Sequence, residues 1–256
     1  MNLRMIKAEI LKLVTRRGLM AWVLLLTSGA VSIMFTVLAV RHGSDPGKYS
    51  PAGGLHNFQN ASYFLTSIGM AAAVLLGTMA GAGDVGGGVF RDLVVTGRSR
   101  LSLFGVRSVG ALLVFLPLIL LALGITAVVA TTLSGSLPAP SFTFIIETSG
   151  WVLLSTCSML IIAVGVSSLI GSRAPSITVL LAWQLLVSQL LLQVTFLGHI
   201  RDALLLSAQH HFAPAGVLGG RAGYATSSAV VAGLVVVAWV IAALAGGAWR
   251  TRTMDA

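Results

Sequence analysis

Charged side chains are scarce in this sequence. Only 9% of its 256 residues are charged, and seven acids stand against sixteen lysines and arginines. A soluble domain usually has about a quarter of its residues charged. Hydrophobic residues make up 56% of the chain. This composition excludes a water-soluble fold and indicates a protein whose side chains are solvated by lipid.

Several kinds of site are excluded by residues that the sequence lacks. Cys157 is the only cysteine, so no intrachain disulfide can form. The three lysines, Lys7, Lys12 and Lys48, do not fit the Gly-Lys-Ser/Thr end of a nucleotide-binding P-loop, so the chain does not hydrolyse ATP by that route. No HExxH motif occurs, and the adjacent His210 and His211 do not share a helix face. We expect no metal, cofactor or catalytic site in this chain.

Six apolar runs are long enough to cross a bilayer as helices, since about 20 residues span its hydrocarbon core. None contains a charged residue, and at this length an α-helix satisfies the backbone hydrogen bonds. The runs are Leu19–Val40, Ser62–Ala82, Val109–Thr131, Ser149–Ile170, Pro175–Leu197 and Thr226–Trp249. The sequence therefore predicts an all-α integral membrane protein with a six-helix transmembrane domain over residues 19–249.

The distribution of lysine and arginine predicts the orientation. With the N-terminus in the cytoplasm, twelve of these residues lie on the inner side and four, Arg41, Lys48, Arg201 and Arg221, on the outer side. The positive-inside rule then places both termini, including the tail 250–256, in the cytoplasm. The same rule explains the net charge of +9 better than nucleic-acid binding does.

The segment before the first span, residues 1–18, is amphipathic. Its apolar residues recur at helical spacing on one arc, at Leu3, Ile6, Ile10, Leu13 and Val14. This pattern is typical of a helix lying on the cytoplasmic membrane surface, and a disordered basic tail is the alternative. The apolar run that follows is longer than the core of a signal peptide, so we expect the segment to be retained.

Two loops are long enough to carry function. The inner loop 83–107 begins with clustered glycines and continues with basic residues, and the spacing of Phe90, Leu93 and Val94 predicts a short amphipathic helix. The last outer loop, 198–225, contains the apolar run Ala203–Ala208. Short helices that dip into the outer leaflet suit that run better than an open coil.

Two features inside the spans point to specific contacts. The fifth span contains Gln184, Ser188, Gln189 and Gln193, and amides within a membrane need protein or water as partners. They are either hydrogen-bonding contacts between helices or contacts to a transported molecule. The second span repeats small residues every fourth position, which permits close helix packing within the chain or across a dimer. These residues, which we call the small-residue ladder, are Gly69, Ala73, Gly77 and Gly81.

With these features in place, the chain resembles the permease subunits of ABC type-2 transporters over nearly its whole length. The stretch Ala8–Leu13, followed by Arg16 and Arg17, is similar to the family's N-terminal surface helix. The inner loop matches the family pattern at Asp84, Gly88, Arg91, Leu93, Gly97, Ser99 and Arg100. It departs from the pattern at Val89, Val94 and Arg107, where the family usually has Thr, Leu and Lys.

The resemblance implies a half-transporter in the bacterial plasma membrane that exports a hydrophobic or amphipathic cargo, such as a drug, peptide or lipid-like molecule. Two separate ATPase subunits would bind ATP and Mg²⁺, and a second permease, identical or different, would complete the dimer. The inner loop would be the coupling helix that contacts the ATPase. Its coupling residues would be Asp84, Gly88, Phe90, Arg91, Leu93, Val94 and Arg100.

The resemblance also assigns a cargo path to the second and fifth spans. Its candidate contacts are Gln184, Gln189 and Gln193, and the small-residue ladder would pack near the dimer interface. An ATP-independent carrier or channel is the alternative function, and a membrane-embedded enzyme is a third class. The absence of charged residues inside the predicted spans argues against both of these alternatives.

Overall fold

A computed structural model describes residues 3–86, 99–219 and 228–253, and within these ranges the chain is helical and has no strand. The six longest helices, which are long and apolar enough to cross a membrane, are α2 to α6 and α8. They confirm the predicted six spans. The elements are α1 (Leu3–Val14), α2 (Arg17–Ser44), α3 (Leu55–Gly86), α4 (Arg100–Thr132), α5 (Phe142–Ile170), α6 (Arg173–Gln193), a 3-10 segment (Thr195–Ala203), α7 (Leu205–His211) and α8 (Ala229–Thr253).

Two of the helices extend well beyond the predicted spans. Helix α3 runs to Gly86 and helix α4 begins at Arg100. Asp84 and Arg107, which the sequence placed in the inner loop 83–107, therefore lie inside helices. The helix ends therefore differ from the bounds of the predicted inner loop, because hydropathy marks the edge of the hydrocarbon layer, whereas a helix can continue past it with its backbone fully hydrogen-bonded.

The small-residue ladder of α3 packs within the chain. Ala73 is fully buried. A Cβ added to Gly77 would lie 2.7 Å from both the Leu160 carbonyl oxygen and the Ala163 Cβ atom of α5. At Gly81 an added Cβ would collide with Ser167, and at Gly69 it would lie 3.1 Å from a methyl group of Thr156. The ladder thus joins α3 to α5 and does not face a second chain.

Both ends of the described chain lie at one end of the helix bundle. The Arg100 Nη1 atom, at the start of α4, donates a hydrogen bond to the carbonyl oxygen of Arg252, in the last turn of α8, over 2.9 Å. Helix α1 lies at the same end, because Lys12 pairs with Asp84 near the end of α3. We call this end, which contains Glu9, Lys12, Asp84 and Arg107, the charged end.

Helix α1 has one buried face and one exposed face. Glu9 and Leu13 are buried against the bundle. The exposed face is mixed in character, because the basic Arg4 and Lys7 lie among the apolar Leu3, Leu11 and Val14. The segment is helical and part of the predicted apolar arc faces protein, and its location at the membrane surface stays a prediction.

At the opposite end, the start of α3 is held by the α4–α5 connection. The amide groups of Gly53 and Gly54 donate to the carbonyl oxygens of Leu133 and Ala130, both over 2.8 Å. Gly54 has a φ of 91°, a conformation that glycine adopts without strain. The short helices predicted in the last outer loop are also present, as the 3-10 segment and α7.

Candidate functional site

A narrow cleft opens between α3, α5, α6 and α7, with about 50 Å³ of space, enough for a few water molecules. It contains hydroxyl, amide, imidazole and thioether groups, and none of its side chains is permanently charged. The cleft is lined by Tyr63, Thr66, Ser67, Met70, Trp151, Ser155, Gln184, Leu185, Gln189, Leu206 and His210.

Gln184 and Gln189 contribute the amides of the cleft, as their place in the fifth span suggested. Gln184 is buried, and its Nε2 atom lies 2.6 Å from the Met70 sulfur. A thioether is a weak acceptor, so a better acceptor inside the cleft could replace it. Gln184 also lies in a π-helical turn, Trp183–Val187. Such turns are frequent at functional sites because they alter the direction of the side chains.

Gln193, the third predicted cargo contact, lies elsewhere. It is the last residue of α6, is exposed and does not line the cleft. Ser188 is buried one helical turn after Gln184. The described structure therefore brings two of the three predicted amides together and separates the third from them.

A hydrogen-bond network fixes α7 against α5 beside the cleft. The Trp151 indole N–H donates to the carbonyl oxygen of Gln209 over 2.8 Å. The fully buried Gln209 side chain donates in turn to the Ser158 hydroxyl over 3.0 Å and to the Ser155 carbonyl oxygen over 3.3 Å. These bonds hold the neighbouring His210 at the cleft. Sequence reasoning missed these residues, although a glutamine directly after an apolar run was a usable signal.

The second polar site is the ion cluster at the charged end. Asp84 accepts hydrogen bonds from the Lys12 ammonium over 3.0 Å and from the Arg107 Nε atom over 3.1 Å, and the Arg107 Nη2 atom forms an ion pair with the same carboxylate over 3.0 Å. Lys12 also pairs with Glu9 over 2.6 Å. Arg107 is only 1% exposed and Asp84 only 8%. The two carboxylates and two cations balance one another, which makes their burial tolerable.

Burial also affects the protonation of Glu9. Loss of solvation raises the pKa of this carboxyl group above its usual 4.5, although the neighbouring Lys12 opposes the shift. One carboxylate oxygen, Oε1, is buried without a hydrogen-bond partner. At a given pH, the protonated, neutral form of Glu9 is therefore more populated in the folded chain than it is for a glutamate side chain in water.

The end of α3 is surrounded by further cationic groups. The Arg107 Nη1 atom donates to the Gly81 carbonyl oxygen over 3.3 Å, and the Arg173 Nη2 atom donates to that of Gly83 over 2.9 Å. The last four carbonyl groups of a helix lack partners within the helix and carry partial negative charge, and the Arg173 guanidinium supplies a donor to one of them, that of Gly83.

The predicted coupling residues fall mostly outside the residues that the structure describes. The coupling residues that lie outside the described ranges are Gly88, Phe90, Arg91, Leu93 and Val94. Asp84, at the end of α3, is occupied by the ion pairs described above, and Arg100 bonds to the backbone of Arg252.

No family model matches the sequence. No curated protein is significantly similar to it.

Proposed function

We propose that this chain is the permease subunit of an ATP-driven exporter in the plasma membrane, in line with its resemblance to ABC type-2 permeases. Six helices are long and apolar enough to span a bilayer. The sequence has no phosphate-binding loop, so the energy for transport would come from a separate ATPase that binds ATP and Mg²⁺.

The observation that carries this proposal is the polar cleft between the second and fifth spans. A membrane helix keeps buried amides where they have a protein partner or a wet cavity to face. Gln184 and Gln189 face such a cavity, beside the aromatic rings of Tyr63 and Trp151. A cleft with aromatic surface, neutral hydrogen-bonding groups and no permanent charge suits an amphipathic cargo better than an inorganic ion.

The charge distribution supports a cytoplasmic location for the charged end. Among the described residues, the bundle has ten lysines and arginines at the charged end and three at the opposite end, Arg41, Lys48 and Arg201. The positive-inside rule places the more basic end in the cytoplasm. The exposed face of α1, on which Arg4 and Lys7 lie among Leu3, Leu11 and Val14, would then lie at the inner membrane surface, with basic groups next to anionic headgroups.

The ion cluster supports a mechanical role for the inner segment between α3 and α4. Asp84 on α3 and Arg107 on α4 flank this segment and are bonded directly to each other. A force applied to the segment would reach both helices together, because their ends are tied by a buried ion pair. Interface energy concentrates in a few apolar or Arg anchors, and we assign that role to Phe90 and Arg91.

The coupling part of the proposal is tested with a double variant, Phe90→Ala with Arg91→Ala. The chain is co-expressed with a candidate ABC ATPase, purified and reconstituted in nanodiscs. We expect the variant to remain inserted and folded but to lose cargo-stimulated ATP hydrolysis. The matched control is Lys48→Ala with Tyr49→Ala, an aromatic and basic pair in the loop at the opposite end. Normal transport by the Phe90/Arg91 variant would refute the assignment.

The cleft is tested with glutamine variants on a single helix. Gln184→Leu and Gln189→Leu should change cargo preference or basal ATP hydrolysis, whereas Gln193→Leu should not, because Gln193 lies outside the cleft. Loss of assembly in the first two variants would instead assign the amides a structural role. Transport that continues without any ATPase would favour the alternative function, an ATP-independent carrier or channel.

A further inference from the structure

An apolar groove separates α4 from α8 on the outer surface of the bundle, close to the charged end. It encloses about 420 Å³ and is open along its length. The recess exists because small residues occupy its walls, and a Cβ added to Gly105 would have nothing within 4 Å. The walls include Phe104, Gly105, Ser108, Ile241, Ala245 and Ala248.

Arginines stand at the charged end of this groove. Ile241, Ala245 and Ala248 recur at intervals of four and three residues, and Arg252 continues the same face of α8. On α4, Arg100 lies on the same helix face as the groove residues Phe104 and Ser108. Its guanidinium group donates a hydrogen bond to the backbone of Arg252 over 2.9 Å. Positive charge is therefore concentrated directly beyond an apolar recess.

The groove wall also contains one polar atom whose hydrogen-bonding capacity is unused. The Ser108 hydroxyl oxygen is buried and has no hydrogen-bond partner in the described structure. A buried hydroxyl without a partner is unfavourable. A rotation of the Ser108 side chain towards the groove would let the hydroxyl donate to a carbonyl oxygen of a bound ligand, which would remove this cost.

We propose that this groove binds an anionic phospholipid. One acyl chain lies in the apolar recess, an ester carbonyl accepts a hydrogen bond from Ser108, and the phosphate contacts Arg100 and Arg252. Guanidinium groups bind phosphate through two parallel hydrogen bonds, and basic pockets between transmembrane helices are suited to anionic headgroups.

The arginines favour a lipid over a helix from a second chain. An anionic phospholipid presents its phosphate just beyond the hydrocarbon layer. Arg252 follows the predicted span Thr226–Trp249 by three residues, and Arg100 is bonded to its backbone, so both arginines are expected near that level. A neighbouring helix offers no fixed anion at that depth. The lipid assignment does not depend on ATP-driven export, since it follows from the groove and its charges alone.

The test uses the full chain in nanodiscs with a phosphatidylglycerol probe that carries a photoreactive group on its acyl chain. Cross-linked peptides are identified by mass spectrometry. We expect labels to concentrate on residues 104–108 and 241–248. A phosphatidylcholine probe should label these residues at least about fivefold less, since each arginine near the surface contributes a favourable interaction with an anionic headgroup.

Two matched glycine variants on α4 test the groove itself. Gly105→Leu fills the recess, whereas Gly124→Leu places the same side chain in open space elsewhere on the helix. We expect Gly105→Leu to reduce labelling by about fivefold or more, because the acyl chain of the lipid can no longer bury its methylene groups in the recess. Gly124→Leu should leave the labelling unchanged. Arg100→Gln with Arg252→Gln should remove the preference for phosphatidylglycerol while some labelling remains.

Three outcomes would overturn the proposal. Equal labelling by the two lipids would show that the arginines do not select an anionic headgroup. Labels spread evenly over the lipid-facing helices would indicate unspecific lipid contact. Absence of labels from residues 104–108 and 241–248 with either lipid would show that the groove is not a lipid site. The wild-type labelling pattern decides between these outcomes even if Gly105→Leu fails to fold.

Discussion

Replacing Asp84 with asparagine should destabilise the protein more than most single substitutions do. The change removes the negative charge that balances Arg107, which is 1% exposed and keeps its other contact, the Gly81 carbonyl oxygen at 3.3 Å. Breaking a buried ion pair by removing one partner costs about 3–5 kcal/mol, because the remaining charge is uncompensated. We expect a loss of about 3 kcal/mol, the low end of that range, since asparagine retains one acceptor oxygen.

The magnitude can be checked with a double-mutant cycle. Arg107→Met alone should also destabilise, because Asp84 then loses one of its two cationic partners among the described residues and keeps Lys12. The double variant, Asp84→Asn with Arg107→Met, should recover part of the loss, since a buried pair replaced by residues without charge is often tolerated. The expected coupling energy is about 2 kcal/mol, within the range for directly contacting residues.

The assay is unfolding of the purified protein in mixed micelles, followed by circular dichroism as the fraction of denaturing detergent rises. Asp45→Asn, in an exposed loop at the opposite end, serves as the control and should change the free energy of unfolding by less than about 0.5 kcal/mol. If the losses from Asp84→Asn and Arg107→Met simply add, the two residues do not stabilise the fold as a pair and the reasoning fails.

Three further predictions concern Glu9, the α3–α5 contact and the orientation. Because burial raises the pKa of Glu9 above 4.5, the folded chain binds its proton more tightly, and the free energy of unfolding should fall as the pH rises from 4.5 through the raised pKa. Glu9→Gln should remove this slope in denaturation curves measured from pH 4.5 to neutrality, and a slope that persists would contradict the assignment. Gly77→Val should cost about 1–3 kcal/mol by overpacking against α5, whereas Gly124→Val, in open space, should not show this steric cost. Cysteines introduced at Ser44 and Ala139 should react with an impermeant thiol reagent in intact cells, and one at Ser99 should not; the reverse pattern would invert the orientation.

The number and order of the spans could be predicted because each depends on a local property of the sequence. An apolar run of sufficient length has to cross the bilayer as a helix, whatever its neighbours are. The ends of the helices could not be predicted in the same way. Asp84 and Arg107 look like loop residues one at a time, and their contact across two helices, which makes their burial tolerable, is not visible in the sequence.

The candidate cleft was predictable in part, for a related reason. Gln184 and Gln189 are polar residues within an apolar run, which signals a partner or a cavity without saying which. Gln193 gave the same signal but is the last residue of α6 and lies outside the cleft. Helical spacing in one segment does not reveal where the helices that pack against it end. Trp151 and His210 reach the cleft through the packing of α7 on α5, a contact between distant parts of the sequence.

The ion cluster also bears on the division of the chain into an interfacial helix and a transmembrane domain. Lys12 belongs to the segment 1–18, yet it bonds to Asp84 of the second span over 3.0 Å, and the Glu9 side chain packs against Gly110 of α4. Without Lys12, the cluster would have two acids and only one cation in a largely buried site. Because an unbalanced charge there is costly, α1 is a structural part of the helix bundle. A movement of α1 at the membrane surface would therefore displace the ends of α3 and α4, which flank the segment that we assign to the ATPase contact.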